Sequence, residues 1–258
     1  MSDLQQINDE PVEETFISHL VELRDRIIRA GAAVVLVFIG LVYWAPEIFR
    51  LLAHPLIQNS PKDGKLIVTD VTGSFFVPMK VTMMVALVIA LPVVLYQIWA
   101  FVAPGLYQHE RKLVVPLVGS SYTLFLCGMA FAYFFVFPTI FHVMAHYNAP
   151  LGVEMTTDID KYVGFILTMF LAFGATFEVP IIVVILVQMG FVTVKKLHQL
   201  RPYVIVGAFA ISAVVTPPDV FSQLILAVPL GILYEVGIIA AGIIVGKDTI
   251  KAQEAQER

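Results

Sequence analysis

Three carboxylates are placed so that their charge could do chemistry. Glu178 is the only formal charge in the run Tyr162 to Met189, YVGFILTMFLAFGATFEVPIIVVILVQM. An acid at mid-bilayer depth costs about 2.5–3.5 kcal/mol on insertion scales, so a chain that keeps one needs a partner for it or a use for it. Its own helix offers no partner, because Gly174, Ala175, Ile181 and Ile182 occupy the positions three and four away. Another helix, a second protein or protonation must compensate, which leaves two readings: an acid bonded inside a bundle, or a point of docking or translocation. Pro180 frees the carbonyl of Thr176, and Gly174 and Ala175 are small enough to admit a second backbone.

Glu110 lies in YQHERK with Leu106, Tyr107, Leu113 and Val114 as its helical neighbours, so a turn of helix there leaves its charge open to a visitor. Glu22 is less free, since Arg26 follows at the favourable i,i+4 spacing. Either could equally be a solvated interfacial acid. His142 and His146 are spaced to face one ion, with Glu154 and Asp158 downstream, but nothing specifies a third ligand, and no metal site is assigned. The sequence carries no nucleophile elbow, phosphate loop, HExxH site or Ser/Lys dyad, which points to a binding protein and not an enzyme. Cys127 is alone in an apolar run and reads as a small core residue outside any disulfide framework.

The elements that must hold these residues are membrane helices. The run around Glu178 would reach about 42 Å as a helix against a core of about 30 Å. Across 258 residues, 59% are hydrophobic and 14% charged, and the mean hydropathy is +0.85, which excludes a soluble domain. We divide the chain into an acidic flexible arm (1–14), a transmembrane domain (15–246) and a cytoplasmic tail (247–258). The acidic start has no basic n-region and no A-x-A site of a cleaved signal. From Thr15 an apolar stripe through Phe16, Leu20, Leu23 and Ile27 opens the first span, which ends in an aromatic belt at Tyr43 and Trp44.

The loop from Ala45 to Ser74 holds prolines and a short apolar strip, and is expected to form a small helical cap. The second span covers Phe75 to Val102. The third covers Val114 to Phe137 and is interrupted by Pro138. The fourth is the run around Glu178. Between Tyr203 and Val215 only a 13-residue apolar run precedes Thr216-Pro217-Pro218-Asp219, a helix of about 20 Å. The fifth and sixth helices are therefore expected to be short, meeting at a raised turn beside a thinned bilayer, with Asp219 capping the sixth. Glu235 then lies near the inner surface. Eleven of the sixteen Lys and Arg residues fall on the side of the termini, which places both termini in the cytoplasm.

Several blocks carry a family likeness: HLVELRDR (His19 to Arg26), TDVTGSFF (Thr69 to Phe76), YQIWAFVAPGLYQHERK (Tyr96 to Lys112), FAYFFVFP (Phe131 to Pro138), FGATFEVP (Phe173 to Pro180) and RPYVIVGAFAISAVVTPPDVFSQ (Arg201 to Gln223). In this order and spacing the chain resembles TatC, the polytopic component of twin-arginine protein translocases, over Phe16 to Val245. Lys112 departs from the second arginine that some relatives have there. The resemblance implies an all-α integral membrane protein of six helices in a concave, glove-like bundle. It also implies a place in the bacterial inner membrane and export of folded proteins driven by the proton-motive force.

By the same resemblance, Glu22 and Glu110 would face the consecutive arginines of a signal peptide, with Phe101, Arg24 and Arg111 nearby. Single-span TatA and TatB subunits would dock on the fifth and sixth helices and the concave face with Glu178 and Gln223, and further copies of the chain would share the complex. Pro55 and Asp219 would belong to the periplasmic cap. No cofactor, metal or nucleic acid is implied. From composition and Glu178 alone, a proton-coupled solute transporter is the alternative, opposed by the missing internal repeat.

Overall fold

A backbone in hydrocarbon has no water to bond, so long apolar segments close their hydrogen bonds internally as helices. The structure, a computed structural model, describes residues 10–58, 65–70, 72–102, 114–148, 156–216 and 220–256 and is almost entirely helical. α1 (Glu10–Leu41) begins inside the stretch read as an arm and passes through one 3-10 turn, Val42–Trp44, into α2 (Ala45–Gln58). The loop after the first span is thus the helical cap expected of it. β1 (Lys65–Ile67) leads to α3 (Gly73–Val102); α4 (Val114–Phe131) and a π-helical turn at Ala132–Val136 lead into α5 (Phe137–Asn148). β2 (Thr156–Asp158) pairs with β1 in parallel and precedes α6 (Ile159–Phe177), α7 (Val179–Gln188), α8 (Val194–Val215) and α9 (Val220–Gln256).

Among the described residues, six helical stretches are long and apolar enough to cross a membrane, and the fifth and sixth, at 22 and 25 residues, are shorter than the others at 30 to 34. α1 packs against α3, α4 against α6, and α7 and α8 against α9. The main core joins α3, α4–α5, α6 and α9 through Val77, Val136, Ile166, Met169, Phe173 and Leu226. Alternating spans put the start of α1 and the end of α9 on one face, called here the terminal face.

Four sequence expectations change in the structure. Pro138 does not end the third span, which runs on to Val143. The wider π turn just before it relieves the clash of the proline ring with the preceding turn, and Thr139 Oγ1 donates to the Phe135 carbonyl at 2.7 Å. The fourth span is not one helix: α6 ends and α7 begins at Glu178 itself, because Pro180 cannot donate to Thr176. The 13-residue run is only the outer part of α8, which starts at Val194 with Thr193 Oγ1 accepting from the Lys196 N–H at 3.3 Å. α8 is therefore about 33 Å long, but its first turns carry Lys195, Lys196, His198 and Arg201, so its apolar length remains that of the short outer run. Cys127 faces outward instead of into the core.

Close helix approach depends on small residues, as expected at Gly174. A Cβ there would stand 2.6 Å from the Phe125 ring, and a Cβ on Gly128 would stand 2.4 Å from the Phe173 carbonyl oxygen. Each glycine admits the partner helix, so α4 and α6 meet nearly backbone to backbone.

Candidate functional site

On α1, His19, Glu22 and Arg26 follow one another at helical spacing, and this polar face turns to the end of α3, while Leu20 and Ile27 stay 49% and 62% exposed. This side of α1 thus meets α3 through His19. Glu22 Oε1 accepts from Arg26 Nε at 2.9 Å and Nη2 at 2.5 Å, the pair expected from spacing. Glu22 Oε2 has His19 Nδ1 at 3.7 Å, beyond hydrogen-bonding distance. His19 in turn stacks on Phe101 of α3, with centroids 4.4 Å apart and planes 16° from parallel. Glu22 and Phe101 are thereby brought together through a histidine that the sequence reading had not singled out.

Arg24 lies on another side of α1, donating to Asp25 at 3.0 and 2.8 Å. Glu110 and Arg111 lie outside the described residues, in the segment between Val102 and Val114.

Glu178 is 7% exposed, and neither carboxyl oxygen has a hydrogen-bond partner among the described residues. Ser121 on α4 is a polar neighbour but stays outside hydrogen-bonding geometry; its Oγ accepts from Trp99 Nε1 at 3.0 Å. Trp99 and Ser121 were also missed, although an indole N–H within an apolar helix signals a need for an acceptor.

Gln223 is half-buried in the first turn of α9. Gly237 abuts Pro180, about 21 Å further along α9, so Gln223 and Glu178 sit at different depths. Arg201 Nη2 and Glu235 Oε2, 2.6 Å apart, join α8 to α9 toward the terminal face, together with the Tyr234 hydroxyl donating to the Leu197 carbonyl at 2.9 Å.

On the opposite face Lys80 Nζ meets Asp160 Oδ1 at 2.6 Å, and Thr69 donates to Asp158. The Thr72 N–H, 3.1 Å away, and the Thr72 hydroxyl hold the Asp70 carboxyl below its usual range. Pro55 lies in α2, its side chain outside the described residues, as is Asp219. An apolar groove of about 520 Å³ lies between α1, α3 and α6, lined by Val34, Phe38, Met83 and Leu171, with Lys80 among its lining residues. Among the described residues no three His, Cys, Asp or Glu side chains group as a metal site; His146 and Glu154 fall outside the described side chains.

Comparison with known proteins supplies a context for this arrangement. Residues 18–229 match the family model described as Sec-independent protein translocase protein (TatC). The chain is 50% identical over 238 residues to the Sec-independent protein translocase protein TatC of Escherichia coli strain K12, covering 92% of each chain. It is 49% identical over 235 residues to the protein of the same name from Haemophilus influenzae strain Rd, covering 91% of each. Among solved structures it is similar to one described as the twin arginine translocase receptor TatC, with a TM-score of 0.78 and 36% identity over 87% of this chain and 98% of that one.

Proposed function

Because the chain belongs to the TatC family of Sec-independent protein translocase proteins, we propose that it is the receptor core of a twin-arginine translocation system and captures signal peptides on its terminal face. The observation that carries this reading is a carboxylate oxygen outside hydrogen-bonding distance of its neighbour, Glu22 Oε2, linked to the Phe101 ring through His19. A guanidinium forms charge-assisted bonds to carboxylate and stacks on aromatic faces, and the point charge of a lysine does neither as well. Glu110, nine residues after Phe101 in the chain, supplies the second carboxylate, and Arg24 and Arg111 contribute to the site.

The terminal face is cytoplasmic and the membrane is the bacterial inner membrane, a reading supported by the eleven of sixteen basic residues on that side. Single-span TatA and TatB subunits dock on α8, α9 and the region of Glu178, with Gln223 as a second polar contact, and further copies of the chain join the complex. Pro55 and Asp219 shape the periplasmic cap. Folded precursors cross at the expense of the proton-motive force, and the chain contributes binding and assembly, not catalysis. A solute transporter built on Glu178 is not favoured, since the relatives are translocase proteins.

Replacing Glu110 with Ala or Gln tests the reading. Cross-linking to a twin-arginine signal peptide should be abolished while membrane insertion stays intact; undiminished cross-linking would remove Glu110 from recognition.

A further inference from the structure

The aromatic face that a guest arginine would seek on the terminal face is already covered. His19 lies against the Phe101 ring, 4.4 Å between centroids and 16° from parallel, with Nδ1 3.7 Å from Glu22 Oε2. An imidazole is planar and can carry positive charge, so it fills the role of a guanidinium between an aromatic face and a carboxylate oxygen. Arg26 holds the other oxygen with two donors, at 2.9 and 2.5 Å, so Oε2 is the acceptor left for a newcomer. The occupant is held loosely: the Nδ1 to Oε2 separation is too long for a hydrogen bond, and the side chains of His19 and Glu22 remain 52% and 39% exposed.

We infer that His19 is a resident placeholder in one arginine subsite, and that a guest guanidinium must displace it from between Phe101 and Glu22. The inference rests on the terminal face being the signal-peptide receptor. Displacing the imidazole offsets part of what the guest gains, so His19 sets a threshold: a single stray arginine gains little net, while two adjacent arginines engaging two carboxylates overcome it. Bound guests and a bound His19 exclude one another. The imidazole must therefore leave the Phe101 face when a peptide arrives.

The test is the affinity of a fluorescent twin-arginine signal peptide for the full-length protein in lipid nanodiscs. His19→Ala empties the subsite and should tighten binding roughly two- to fivefold, the worth of an exposed cation–π contact. His19→Arg installs a permanent guanidinium and should weaken binding about tenfold or more. His19→Phe keeps the stack without the charge and should bind less tightly than His19→Ala.

If His19 served only to hold α1 against α3, Ala would weaken binding and Phe would restore it. That order, or His19→Arg binding as well as the native protein, overturns the placeholder and leaves the receptor reading standing. A native protein that binds no peptide at all overturns both.

Discussion

Glu178 keeps a carboxyl inside the bundle, 7% exposed, with both oxygens lacking a hydrogen-bond partner among the described residues. A buried polar group left unsatisfied costs about 1–3 kcal/mol, so the acid does not hold the fold together. Glu178→Gln should leave thermal stability in detergent unchanged or raise it, while Glu178→Ala should keep signal-peptide binding and weaken recruitment of partner subunits. Normal co-purification of partners and normal export in the Ala variant would make the acid a passive occupant. The sequence shows Glu178 without local help because helical spacing names its neighbours. The same spacing shows the Glu22–Arg26 pair. It cannot show His19 on Phe101, because which side of α1 turns to α3 is settled by packing between segments far apart in the chain.

The helices themselves are legible from hydropathy, since each span must satisfy its backbone alone. Their irregularities are less so. Pro138 reads as a stop, yet a π turn at Ala132–Val136 carries the helix past it; Pro180 reads as a local perturbation, yet it divides the fourth span at Glu178. A proline shows where a bond is lost and not how the helix recovers. The start of α8 was missed because Lys195 and Lys196 look like loop residues, whereas their charges can stay at the interface while their stems lie along the helix. Gly128→Val must push the Phe173 carbonyl away and should cost about 1–3 kcal/mol, read as a lower unfolding temperature in detergent. Gly119→Val, on the same helix with nothing within 4 Å of its Cβ position, should change little; equal effects at both would remove the close approach from the account.

At the scale of the whole molecule, the two faces are tied differently. The face opposite the termini is fastened by the β1–β2 pairing, by Thr69 with Asp158 and by Lys80 with Asp160, all joining segments remote in sequence. The terminal face carries cross-helix ties at Arg201–Glu235 and Tyr234–Leu197, and between α1 and α3 the exposed stack of His19 on Phe101. On the terminal face His19 and Glu22 keep their side chains partly exposed. The six spans and the shared side of the termini were readable from hydropathy and from Lys and Arg placement; the ladder was not, because two three-residue strands leave no periodic signal.

The proposed receptor role depends on acids of the terminal face accepting guest guanidinium groups. The direct measurement is capture of a twin-arginine precursor by native protein and by a Glu22→Lys, Glu110→Lys double variant in membrane vesicles. Each charge-assisted bond is worth about 1.5–3 kcal/mol, so capture by the variant should fall roughly a hundredfold or more with insertion intact. Equal capture by the two proteins would contradict the account.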